Sequence, residues 1–214
     1  MVAGEGEESL LLADLEGSGE IYRLSLEGLT VREEDGAPAR PQNGMEVRVE
    51  YEGELDLTYP ATFRQPTALI LTGRQENLCG LYLQVLEDLW EEDTALNAGA
   101  SQVGVDLSAT RLSESEQAAV AWAFGESVGL FPLTATYEEL KEQGYITEEG
   151  GFPFWEEGCL LTIAEKEGAE EDTLSFEARK WRSGTGAIFW TNCTARREES
   201  GRWGRYQPGG WAMS

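Results

Sequence analysis

Leu78-Cys79-Gly80-Leu81-Tyr82-Leu83-Gln84-Val85-Leu86-Glu87-Asp88-Leu89-Trp90 is the stretch on which the fold class turns. Leu78, Leu81, Tyr82, Val85, Leu86, Leu89 and Trp90 recur at i, i+3, i+4, i+7, i+8, i+11 and i+12, while Glu87, Asp88, Glu91 and Glu92 take the other side. That spacing predicts an amphipathic helix over residues 78–92. Everything before it reads with a period of two. Residues 20–26, 29–32, 45–51 and 68–72 are short, often alternating, and separated by Gly, Pro, Asn and Asp. In the third of these, Met45, Val47, Val49 and Tyr51 point one way and Glu46, Arg48, Glu50 and Glu52 the other, as a sheet with one wet face requires. The period changes near Asn77. The expected organisation is therefore a flexible acidic N-terminus over residues 1–17, a small OB-like β-barrel over 18–74 and an α+β module over 76–214, with Leu10-Leu11-Leu12 too short a run to count as an element.

Beyond the helix, Val103, Val105 and Leu107 share one face of a strand. Ser113-Glu-Ser-Glu116 is a capping box that opens a nearly all-apolar helix through Ala118, Val120, Ala121, Trp122 and Phe124, expected to be deeply buried. Thr136-Tyr-Glu-Glu139 is a second capping box, starting a short helix that Gly144 can close. Strands follow at residues 159–163, 173–181 and 187–195, with Arg182-Ser-Gly-Thr-Gly186 as the turn between the last two and a final short strand near residues 203–206. Helices first and strands last predict helices packed on a mainly antiparallel sheet.

Composition bounds function more firmly than motifs do. The 214 residues are 41% hydrophobic, enough for a buried core, and hold 40 acidic against 16 basic groups for a net charge of −24. There is no histidine, which removes the commonest general base, the commonest zinc ligand and every Ser-His or Cys-His nucleophile arrangement. A charge of −24 repels a phosphate backbone and anionic lipid alike, so neither nucleic acid nor a membrane surface is expected as a partner. No run approaches the roughly 18 apolar residues of a membrane span. The start lacks a positive n-region and an h-region, as a soluble chain or a mature end left after removal of a signal would. Cys79, Cys159 and Cys193 read either as buried free thiols or, for the last two, as a disulfide between neighbouring strands.

Trp181-Arg182-Ser183-Gly184, Phe189, Asn192-Cys193-Thr194-Ala195, Trp90-Glu91, Val105-Asp106-Leu107-Ser108 and Ala121-Trp122-Ala123-Phe124-Gly125-Glu126 resemble an extracytoplasmic, lipoprotein-type module of Gram-positive bacteria. Related stretches occur as tails of membrane zinc metallopeptidases of the beta-lactam-sensor class. The resemblance covers roughly residues 76–214 and implies a surface location but no activity; the chain has no His-Glu-x-x-His, so peptidase chemistry does not carry over. Asn43-Gly-Met-Glu-Val-Arg-Val and Thr58-Tyr59-Pro60-Ala61 are similar to the YobA-like small barrels of secreted bacterial proteins. With 15 acids against 6 bases in residues 1–75, that block reads as scaffold rather than as an oligonucleotide site.

Two site readings follow. Residues 151–214 hold 10 acids and 8 bases, against 15 and 2 in residues 76–150, and carry Trp155, Trp181, Trp190, Trp203 and Trp211. Aromatics and cations coincide there, which points to a non-catalytic module binding a cell-surface protein, peptide or glycan through Trp181, Arg182, Trp203 and Trp211. Core packing is the competing reading for Trp181 and Trp190. Arg179, Lys180 and Arg182, beside the Ser183–Gly186 backbone, could form an anion or carboxylate site or simply neutralise the acidic block. The alternative class is a carboxylate-dependent glycan hydrolase built on Asp106, opposite Val103, Val105 and Leu107 on its strand, with Glu126 approaching from the end of the apolar helix. No cofactor or metal is expected: the Asp-x-Asp-x-Asp-Gly calcium spacing is missing, and residues 165–172 read as a solvated loop.

Overall fold

The change of period near Asn77 separates two kinds of sheet. In the computed structural model, which describes residues 1–4, 7–16, 18–74, 76–168, 172–198, 202–204 and 206–214, the fold is α+β and mostly strand. The chain forms two compact units, Met1–Gly80 with Ser113–Val120, and Leu81–Leu112 with Ala121–Ser214.

In the first unit, β1 (Ser9–Ala13), β2 (Ile21–Ser25), β6 (Ala61–Phe63) and β5 (Leu55–Asp56) form one sheet in the order β1-β2-β6-β5. A second sheet has the order β3-β7-β4, from β3 (Thr30–Glu33), β7 (Pro66–Arg74) and β4 (Met45–Tyr51). Among the described residues the two sheets do not close into a barrel. The described part of the expected flexible N-terminus contains a strand, Ser9–Ala13. Leu10, Leu11 and Leu12 are all at most 4% exposed, a short apolar run covered on both faces, and Leu10 and Leu12 join Leu24 and Leu69 in the core. On β4 the register shifts at Glu46/Val47 and Glu50/Tyr51, so Val47 and Val49 pack inward while Tyr51 turns out, edge-on to Phe63 at 5.1 Å. Residues 113–120 belong here because Gly19 N donates to Ser115 Oγ (2.9 Å) on the helix that opens at Glu114.

The second unit is organised by one eight-stranded sheet. Its main path runs β10 (Thr147–Glu149), β11 (Phe152–Phe154), β13 (Thr173–Ser183), β12 (Gly158–Glu165), β8 (Gln102–Asp106), β9 (Phe131–Thr134). On the other edge of β13 lie β14 (Gly186–Arg196) and β15 (Gly210–Met213). The pairing is mainly antiparallel, but β12-β8 and β8-β9 are parallel. The parallel β8-β9 pair is the geometric consequence of a helix, α2 (Glu114–Val128), intervening between them in the chain. One sheet face carries Val103, Val105, Leu161, Phe176 and Lys180 and is covered by α1 (Leu78–Glu91) and the end of α2; Tyr82 meets Phe176 at 5.9 Å and Trp90 meets Phe124 at 6.0 Å. The opposite face has its own cluster, Leu140, Ile146, Trp155, Leu160, Trp181 and Ala187, under α3 (Tyr137–Glu142). Both capping boxes form: Ser113 N and Oγ donate to Glu116 Oε2 at 2.9 Å, and Thr136 N to Glu139 Oε2 at 2.8 Å.

Two strand readings are corrected. The last strand lies at Gly210–Met213 rather than at 203–206; Trp203 makes only a single bridge to Arg197, and Arg205 lies outside the described residues. The shift has a steric basis, because Gly209 approaches β14 so closely that a Cβ would lie 2.4 Å from Asn192 O. Cys159 and Cys193 are not on neighbouring strands, since β13 runs between β12 and β14. They lie about 10 Å apart across the sheet and about 20 Å along it, beyond disulfide reach, and all three thiols are free and buried. Of residues 165–172, positions 169–171 lie outside the described residues.

Candidate functional site

Alternation along β13 sorts its three cations by face. Leu174, Phe176 and Ala178 are buried against the helices, and the next residue in that series is Lys180, fully buried. α1 has no basic residue in its own last turn, and the chain leaves it through Asp93 in a left-handed conformation (φ 41°). The carbonyls freed there need donors. Lys180 Nζ supplies them from the sheet, donating to Trp90 O (3.0 Å), Asp93 O (3.3 Å), Asn97 Oδ1 (3.0 Å) and Glu92 O, 5.6 Å from the centre of the Trp90 ring. Burial holds the Lys180 ammonium below the ordinary lysine value.

Arg182 extends the same staple. Its Nη1 donates to Leu96 O (2.7 Å) and Ala98 O (2.6 Å), and its Nη2 to Glu156 O (2.6 Å). Cys159 Sγ donates to the same Leu96 carbonyl at 3.0 Å, and burial pushes its thiol up to about 11. The three cations therefore do not form one anion site: Arg182 ends on main-chain oxygens, and Lys180 on main-chain oxygens and the Asn97 amide oxygen. The alternation that buries Lys180 was the available signal, and the charge count of the block masked it.

The sequence-predicted platform is divided. Trp181 is 3% exposed, edge-on to Tyr137 at 5.1 Å under α3, so its ring is core and offers no face to a ligand. Arg182 is spent as described. Trp203 is half-buried at its bridge to Arg197. Trp211 is 56% exposed and Met213 55%, on the opposite sheet face from Trp181, where Trp211 pairs with Trp190. Trp190 in turn lies 5.9 Å from the Tyr206 ring, whose hydroxyl donates to Asp88 of α1 (2.8 Å) and is held above the ordinary tyrosine value by burial and by that bond. Ala187 and Ser214 exchange both N–H···O bonds. By the alternation of an antiparallel pair, the main-chain groups of Trp211 and Met213 then point away from β14.

Asp106 does lie opposite Val103, Val105 and Leu107, but its Oδ1 accepts from Ser108 N (3.1 Å) and Oγ (2.6 Å). Glu126 does not approach it. α2 lies on the other face of the sheet, and its end is level with the start of β9, where Phe131 pairs with Gln102. Asp106 is at the far end of β8, about 13 Å further along the strand. Paired glycosidase carboxyls about 5–10 Å apart are not formed by these two residues.

The first unit contains a cavity of about 110 Å³ whose lining includes Leu15, Met45, Glu46, Asn77, Cys79 and Glu116. Glu116 is committed to capping α2, and the Cys79 thiol, 3.9 Å from Glu116 Oε1, is pushed up to about 12 by burial and by that carboxylate. It is no nucleophile at neutral pH. Among the described residues no three of Cys, Asp and Glu are gathered to hold a metal ion, and no helix is long and apolar enough to cross a membrane. Comparison with protein-family models, curated proteins and solved structures finds no match.

Proposed function

We propose that the chain is a non-catalytic, extracytoplasmic binding or accessory module that recognises a cell-surface protein, peptide or glycan, with the β-rich first unit as an OB-like scaffold. The observation that carries the reading is the β15 edge: an exposed tryptophan and methionine on a strand whose outer side pairs with no other strand among the described residues. Edge strands of this kind are usually short, charged or covered, so apolar exposure at one suits a partner surface. The surface location rests on the resemblance of residues 76–214. Neither nucleic acid nor a lipid surface suits a charge of −24. The test is binding to glycan arrays and to cell-surface extracts by the wild type and Trp211→Ala, with Asp106→Asn and Glu126→Gln assayed for turnover. Binding lost in Trp211→Ala with no turnover by any form supports the module; turnover lost in the carboxylate variants overturns it.

A further inference from the structure

Arg179 is the cation of β13 that the staple leaves over. It projects from the face opposite Lys180, in a row set by strand register: Asp106 of β8, Thr162 of β12, Arg179 of β13, Phe189 of β14. Its guanidinium carbon stands 4.9 Å from the centre of the Phe189 ring, and Tyr137 of α3 packs at 5.1 Å on Trp181, the next residue of β13 on the same face. In a chain with 40 acidic groups, Arg179 nevertheless has no hydrogen bond or ion pair among the described residues, and its Nε is buried without an acceptor. The hydroxyls of Thr162 and Tyr137 likewise have no described partner. A buried N–H left unmet costs stability, and native proteins keep such a group where something else satisfies it.

We propose that Arg179, flanked by Phe189 and with Thr162 and Tyr137 beside it, is a seat for a single carboxylate. A planar, monovalent carboxylate matches the fork of a guanidinium placed over an aromatic ring, and the two hydroxyls can donate to its remaining lone pairs. A dianion such as phosphate is disfavoured, because Asp106 lies in the same row and Glu177, paired with Lys166 at 2.7 Å, lies two residues along the same face. The nearby carboxylates do not fill the seat themselves: Asp106 is turned to Ser108 and Glu177 to Lys166. The seat is on the opposite sheet face from Trp211, so it stands or falls independently of the β15 reading.

Two carboxylate sources share this chemistry, a peptide C-terminus and an acidic sugar. The experiment titrates the full chain with N-acetyl-alanine, with D-glucuronate, with the primary amide of N-acetyl-alanine and with inorganic phosphate, read by calorimetry and by the amide NMR shifts of residues 160–164 and 177–181. Saturable binding by at least one carboxylate is expected, with shifts centred on Thr162 and Arg179. Which carboxylate binds more tightly names the source. The amide and phosphate should bind at least about tenfold more weakly, Arg179→Gln should lose about tenfold or more in affinity, and Arg32→Ala, in the first unit, should bind as the wild type does. Thr162→Val is the second variant, expected to weaken the carboxylate while leaving the unfolding midpoint in place, should Arg179→Gln not fold. No saturable carboxylate binding, equal binding by Arg179→Gln or Thr162→Val, or tighter binding of phosphate would overturn the proposal.

Discussion

Both units pair cations with carboxylates at the surface, but the second also turns two of its cations onto its own main chain. In the first, arginines meet carboxylates at the surface: Arg32 faces Glu50 at 3.5 Å and Arg64 Nε donates to Asp56 at 2.6 Å, both pairs partly or largely exposed. In the second, Lys180 and Arg182 turn inward and donate to carbonyls at residues 90–98 and 156. Exposed pairs are screened and contribute little, whereas a buried ammonium facing main-chain oxygens cannot be removed without orphaning them. Lys180 and Arg182 are placed by stranded carbonyls after the end of a helix and not by the density of carboxylates.

The largest expected effect that would break this comparison is on Lys180. Lys180→Ala should cost about 3–5 kcal/mol of stability in denaturant unfolding, since it opens a cavity and leaves the Trp90, Glu92 and Asp93 carbonyls without their donor. A loss below about 1 kcal/mol would mean that water replaces the ammonium and that the site is not closed. Arg32→Ala, its counterpart in the first unit, should cost less than about 1 kcal/mol in the same measurement. A cost equal to that of Lys180→Ala would erase the distinction.

Much of the fold was legible because it follows local periods: α1, the two capping boxes and the strands at residues 45–51, 173–181 and 187–195 all sit where spacing puts them. What escaped depends on tertiary context. Leu10–Leu12 becomes a strand only because both its faces are covered, and Phe131–Thr134, with Pro132 inside it, is a strand because α2 returns the chain beside β8. The candidate site was half legible. Trp211 is exposed, while Trp181 is core, Arg182 is tied to main-chain carbonyls, and Arg179 projects from the sheet face opposite Lys180 and Arg182. Charge counts group Arg179, Lys180 and Arg182 as one cluster; the period of two in a strand puts Lys180 and Arg182 on one face and Arg179 on the other.

The smallest effect sharpens the same contrast within the second unit. The Glu139 carboxyl is held below its usual 4.5 by the N–H and hydroxyl of Thr136, and Glu148 by Lys141. A carboxyl lowered on folding contributes stability that is present above about pH 4.5 and lost as pH falls through the lowered value. The amides of α3 should therefore lose exchange protection on acidification before those of β13, whose staple is built from donors that stay protonated. Simultaneous loss in α3 and β13 would place both in one cooperative step.

The claim that Lys180 and Arg182 form an internal staple is tested most directly by thiol labelling of native Arg182→Ala, with each cysteine followed by peptide mass spectrometry. Cys159 shares the Leu96 carbonyl with Arg182, while Cys79 belongs to the first unit and serves as the internal reference. The account predicts that Cys159 reacts at least about tenfold faster in the variant while Cys79 keeps its wild-type rate. An unchanged Cys159 rate, or an equal rise at Cys79, would contradict it.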